Sequence, residues 1–144
     1  MPGQKIMRIL IVEDDALIAS VMEDILVMAG HVIVGGFARD INAALATAEV
    51  LRCDLALVDF VLARGDSGGD AARLLRTRYK IPSIFVSGSG HECRKLAIES
   101  AALGCLPKPF KPEELVATVA TVEAILSGLA TQNSPETFEL YPTG

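Results

Sequence analysis

The chain has 144 residues, 51% of them hydrophobic, with 13 basic and 18 acidic side chains and a net charge of −5. That length suits one domain with an ordinary apolar core, and the composition excludes a chain disordered throughout. The acidic balance argues against general nucleic-acid binding, because phosphates repel it and few cations are left to neutralise them.

Short apolar runs alternate with longer stretches of helical periodicity. Residues 7–12 (MRILIV) read as a strand, and Glu13, Asp14 and Asp15 after them are good helix-start residues. Over 16–29 the apolar positions Leu17, Ile18, Val21, Met22, Ile25 and Leu26 recur at helical spacing, and Gly30 ends that helix. A second strand is expected over 31–34, closed by Gly35 and Gly36, and a second helix opens near Asp40 with Ile41, Ala44, Leu45, Ala48 and Leu51 on one face. Residues 54–58 form a third, fully apolar strand ending at Asp59, followed by a glycine-rich loop over 63–69 and a helix over 70–78. The basic cluster Arg73, Arg76, Arg78 and Lys80 reads as the solvated end of that helix. A fourth strand covers 81–86, a loop 87–90, a fourth helix 92–102 and a short fifth strand 105–106. Pro107-Lys108-Pro109 is a turn, and Pro112 opens a fifth helix whose inner face carries Leu115, Val116, Val119, Val122, Ile125 and Leu126.

Five strands and five helices in strict alternation predict an α/β fold with a doubly wound parallel sheet covered by helices on both faces. The domain is expected over 1–128. Residues 129–144 are expected to be a mobile tail, with docking through Phe138, Leu140 and Tyr141 as the alternative. The opening residues turn polar too soon for a secretory signal, and no apolar run approaches the length of a membrane span. Cys53, Cys93 and Cys105 are odd in number and lack C-x-x-C spacing. This argues against a disulfide framework or a zinc site, and for small core or interface cysteines in a reducing compartment. A cytoplasmic protein is expected.

In such a sheet, functional groups gather at the carboxyl ends of the strands. Here those ends carry Glu13-Asp14-Asp15, Asp59, Ser87 and Lys108. Clustered carboxylates repel one another unless a cation neutralises them, and an all-oxygen site with few protein ligands suits Mg²⁺. Such a cation lets an anionic phosphoryl group approach an anionic carboxylate, while a lysine and a hydroxyl hold the remaining oxygens. His31 and His91 have no such partners nearby and are read as structural or exposed.

The blocks Arg8-Ile9-Leu10-Ile11-Val12-Glu13-Asp14-Asp15, Leu55-Ala56-Leu57-Val58-Asp59, Phe85-Val86-Ser87-Gly88 and Leu106-Pro107-Lys108-Pro109-Phe110 together resemble the four signature blocks of response-regulator receiver domains, over roughly 7–128. The resemblance implies a flavodoxin-like sheet of order 2-1-3-4-5 and a cis Lys108-Pro109 bond. It implies a two-component switch in which Asp59 accepts a phosphoryl group from a sensor histidine kinase or a histidine phosphotransfer protein. Glu13, Asp14, Asp59 and the backbone carbonyl of Val61 would hold Mg²⁺, and Ser87 and Lys108 would bind the phosphoryl oxygens. Output would then be a changed protein–protein contact, to a downstream target or to a second copy, through the face of the fourth helix, fifth strand and fifth helix. Cys93, Leu96, Ala97, Cys105 and the last helix would border that face.

Three features depart from the family pattern: Ala63 stands for the usual proline, the loop to Gly68 is one residue longer, and Cys105 replaces the usual aromatic switch residue. They resemble an alphaproteobacterial single-domain subgroup with a Phe-Ala-Thr-Gly motif, here altered to Val86 and Ser87. An unphosphorylated docking module is the runner-up reading. An aspartyl phosphatase ranks lower, because its D-x-D after the first strand is absent. A flavin or nucleotide site is disfavoured by the acidic residues where phosphate would need backbone N–H groups.

Overall fold

The computed structural model describes residues 5–88, 93, 102–129 and 134–141. The expected alternation gives β1 (Arg8–Val12), α1 (Ala16–Met28), β2 (Val32–Ala38), α2 (Ile41–Val50), β3 (Leu55–Val58), a 3-10 turn (Ala63–Gly65), α3 (Gly68–Tyr79), β4 (Ser83–Ser87), β5 (Gly104–Pro107), α4 (Pro112–Leu126) and β6 (Glu139–Leu140). Apart from Cys93 and Ala102, the helix expected over 92–102 lies outside the described residues. The sheet order is β2-β1-β3-β4-β5-β6. Its first five strands are parallel and β6 runs antiparallel to β5.

Side chains alternate across the pleat, so each central strand feeds two cores. Leu10, Val12, Ala56, Val58 and Phe85 pack on the side of α2 and α3, with Ala44, Ala48, Ala71, Ala72 and Leu75. Ile9, Ile11, Leu55, Leu57, Ile84 and Val86 pack on the other side, with Met22 and Leu26 of α1 and Leu115, Val119 and Val122 of α4. Burial on both faces is why these strands read as unbroken apolar runs.

Several expectations needed correction. β2 does not stop at Val34 but continues through Gly35 and Gly36 to Ala38. Both glycines have φ near +70°, and the pairing jumps from Ile9↔Ile33 to Ile11↔Phe37. A bulge that only glycine adopts easily thus looked like a strand end. On α4, Val116 and Ile125 are only half-buried and Leu126 is exposed, while Thr118, Thr121 and Glu123 are buried among the inner positions. The sheet has a sixth strand, because residues 138–141 take the docked arrangement rather than the mobile one. Phe138 enters the α1–α4 core and Tyr141 the opposite one, so this short segment continues the sheet's alternation.

Candidate functional site

Parallel register places the polar strand ends side by side. Val12 is opposite Val58, so Glu13 and Asp59, the next residue on each strand, leave the sheet together. The Asp59 N–H donates to the Val12 carbonyl at 2.9 Å, and the Glu13 N–H to the Ala38 carbonyl at 2.8 Å. The extension of β2 past its glycines is what supplies that Ala38 carbonyl. On the other side, Ser87 is opposite Pro107, which puts Lys108 just beyond the sheet end next to Ser87. The Lys108-Pro109 bond is cis, as the family resemblance implies.

Of the three acidic residues after β1, Asp15 is the helix cap: its carboxylate accepts from the N–H groups of Leu17 and Ile18. Glu13 and Asp14 are left for the site. Carboxylate oxygens of Glu13, Asp14 and Asp59 lie within 4.8 Å of one another. The Lys108 ammonium lies 2.6 Å from Glu13 Oε1 and 3.7 Å from Asp59 Oδ2. Glu13 is buried, whereas Asp14 and Asp59 are half-buried. Burial pushes the Glu13 carboxyl up to about 7; the Lys108 ammonium opposes this rise and neighbouring Asp59 adds to it. One ammonium does not balance three carboxylates, so the donor set, all oxygen and open on one side, fits a small hard dication. Ser87 is buried at the end of β4. The Val61 backbone bridges Ser67 and its side chain is exposed, two residues beyond Asp59.

Gly68 shapes the floor of the site. A Cβ there would lie 2.1 Å from the Asp59 carbonyl oxygen and 2.6 Å from the Phe60 Cα. The first turn of α3 therefore passes against the Asp59 backbone. Ser67 caps that helix through Gly69 N–H and Asp70 N–H, and the Gly68 N–H donates to the Phe60 carbonyl.

Residues 9–120 match the model of the response regulator receiver domain. The chain belongs to the response-regulator receiver family. It is 36% identical over 113 residues to the DNA-binding response regulator MtrA of Mycobacterium tuberculosis, covering 78% of this chain and 48% of that protein. The chain thus spans about half the length of the curated relatives it matches first. Among solved structures, the response regulator PhyR of Brucella abortus superposes with a TM-score of 0.74 at 29% identity, covering 87% of this chain and 52% of that one. The receiver domain of Erythrobacter litoralis PhyR does so with a TM-score of 0.69 at 28% identity, over 90% and 95% of the two chains. Like those receivers, this one is a two-component signalling module on a flavodoxin-like fold. Among the described residues, no helix is long and apolar enough to cross a membrane.

The structure also joins Cys93 and Cys105 as a disulfide, against the expectation of unpaired cysteines. The pair is 12 residues apart with no recognisable spacing. Cys105 lies in β5, beside β4, and no sequence pattern connects it with Cys93. Of the three cysteines, Cys53 is free. Leu96, Ala97 and His91 lie outside the described residues. His31 is structural, its Nδ1 accepting from the Met7 N–H at 3.0 Å.

Proposed function

We propose that this receiver is a phosphoacceptor switch modified on Asp59. The observation that carries the reading is the convergence of Glu13, Asp14 and Asp59 with the Lys108 ammonium at one sheet end. Glu13, Asp14, Asp59 and the Val61 carbonyl would hold Mg²⁺, which when bound supplies positive charge against which an anionic phosphoryl group can approach. An Asp59 carboxylate oxygen attacks the phosphorus of a phosphohistidine on a sensor kinase or phosphotransfer protein. The N–P bond breaks, the electron pair leaves with the imidazole, and an acyl phosphate forms. Lys108, already within 3.7 Å of Asp59, pairs with the incoming oxygens, and the Ser87 hydroxyl donates to them.

A groove of about 460 Å³ beside Lys108, lined by Leu17, Ile18, Val21, Ile25 and Phe110, supports docking of the phosphoryl donor next to the site. Output is a protein contact in the cytoplasm rather than direct DNA binding, consistent with the net charge of −5. The chain turns over no substrate beyond its own phosphorylation and dephosphorylation.

The test is intact mass after incubation with acetyl phosphate, with and without Mg²⁺, beside Asp59→Ala. A labile adduct requiring both Mg²⁺ and Asp59 is expected. No adduct with acetyl phosphate or a phosphorylated kinase, in a folded sample, would replace this reading with that of a docking module.

A further inference from the structure

The C-terminal strand and the disulfide are built onto one another. Cys105 lies in β5 directly opposite Glu139 of β6. The carbonyl of Cys93 accepts a hydrogen bond from the Tyr141 hydroxyl at 2.7 Å. The strand therefore grips both halves of the bridge, one through the sheet ladder and one through the phenol. Both cysteines are fully buried, with 0% exposure.

The seat of the strand is equally specific. A Cβ on Gly104 would lie 2.6 Å from both the Glu139 carbonyl oxygen and the Phe138 ring. Only a residue without a side chain lets the segment lie down there. Phe138 and Tyr141 anchor it in opposite cores, the Tyr141 N–H donates to the Leu103 carbonyl at 2.9 Å, and Thr137 donates to Glu114 of α4. The Cα atoms of the two cysteines are 5.4 Å apart, within the range a disulfide spans without backbone movement.

We propose that Cys93 and Cys105 form a reversible thiol–disulfide switch, whose closed form holds the C-terminal strand on the edge of the sheet and whose open form releases it. The bridge keeps the Cys93 carbonyl against β5, where Tyr141 reaches it. Once the bridge opens, Cys93 loses its covalent tie to β5, and the Tyr141 anchor on its carbonyl is weakened. The coupling is reciprocal. Both sulfurs are fully buried while β6 is docked, so on this proposal a docked strand also protects the bridge from an attacking thiolate.

Closure proceeds by exchange with a low-molecular-weight disulfide such as oxidised glutathione. One cysteine thiolate attacks a glutathione sulfur, forming a mixed disulfide and expelling one thiol. The second cysteine attacks the protein-bound sulfur, closes the bridge and expels the other thiol. Two electrons and two protons thus pass from the cysteine pair to the external disulfide. An external dithiol reverses both steps. In a reducing compartment a disulfide of this kind serves sensing rather than permanent stapling. Release of β6 leaves β5 with an unpaired edge at Gly104 and Cys105, to which another strand can add.

The inference does not depend on phosphorylation, so the redox difference should appear in protein never exposed to a phosphoryl donor. The experiment takes the whole chain, oxidised with glutathione disulfide or reduced with dithiothreitol. Loss of two hydrogens in the intact mass reports the bridge, and chymotryptic cleavage after Phe138 and Leu140 reports the strand. Cleavage is expected to be about tenfold slower in the oxidised form. Cys105→Ser should cleave like the reduced form under both conditions. Gly104→Ala should free the strand and speed reduction of the bridge about tenfold. The wild-type comparison needs no substitution, so a poorly folding variant does not leave the question open. Failure of the folded protein to form the bridge, or equal cleavage in the two redox forms, would overturn the switch. Unchanged reduction in Gly104→Ala would overturn the reciprocal protection.

Discussion

Gly68→Ala is the sharpest probe of how α3 supports Asp59, the proposed phosphoacceptor. The added methyl would lie 2.1 Å from the Asp59 carbonyl oxygen and 2.6 Å from the Phe60 Cα, both backbone atoms. Relaxed contact needs about 3.5 Å, so the first turn of α3 has to retreat by roughly 1.4 Å. Overpacking of this kind costs about 1–3 kcal/mol, and backbone neighbours place it at the upper end. The retreat also stretches the Gly68 N–H to Phe60 carbonyl bond, now 2.6 Å long, for about 1 kcal/mol more. Alanine's better helix propensity returns less than about 1 kcal/mol at a first-turn position. The net loss is about 3 kcal/mol, a large share of the roughly 5–15 kcal/mol that holds such a domain. Gly69→Ala is the matched control. Its nearest atoms are side-chain atoms of Phe60 and Ser67 at 3.3 Å, which can shift, so it should stay within about 0.5 kcal/mol of wild type. Urea unfolding followed by circular dichroism measures both. With a slope near 2 kcal/mol/M, Gly68→Ala should lower the midpoint by about 1.5 M. Equal midpoints for the two variants would refute the claim that α3 rests on the Asp59 backbone.

Mg²⁺ at ten times its dissociation constant should stabilise the wild type by about 1.4 kcal/mol in thermal melts, an increment abolished by EDTA and diminished in Asp14→Ala. Lys108→Met leaves the buried Glu13 carboxylate without its partner at 2.6 Å and should cost on the order of 2 kcal/mol in metal-free buffer at pH 8. A loss under about 0.5 kcal/mol would show that the pair is idle. Burial holds the pKa of His31 below its ordinary value, and the neutral ring accepts from Met7 N–H. The stability this provides is complete above the unfolded pKa near 6.5 and declines as pH falls toward the lower folded value. Glu13, raised to about 7, contributes in the opposite sense: its stabilising term is present at low pH and is lost as pH rises through 7. The difference between wild type and His31→Leu therefore isolates the histidine. That difference should be about 1–2 kcal/mol at pH 7.5 and shrink below pH 6. A difference independent of pH would refute a neutral, accepting His31.

The core and the site were largely legible in the chain because both follow local rules. Strands buried on two faces must be continuous apolar runs, as Leu55–Val58 is. A carboxylate ending such a run, as Asp59 does, stands at the sheet end where functional groups of this fold gather, which makes it a candidate. The helix opening at Pro112 likewise follows from residue type and spacing, whereas the order of the first five strands comes from the family resemblance, and the structure singles out Asp15 as the cap of α1. What the linear pattern hid depended on residues far apart. Gly35 and Gly36 looked like a strand end because a bulge and a turn call for the same glycines. Lys108 meets Glu13 across 95 positions, and only the parallel register brings them to 2.6 Å. Gly104 is explained only by the Phe138 ring that fills the space of its missing side chain. The Cys93–Cys105 bridge and the sixth strand belong to the same class. Each pairs groups whose separation carries no period, and a chain reveals periods, whereas contacts exist only once the sheet has placed its edges.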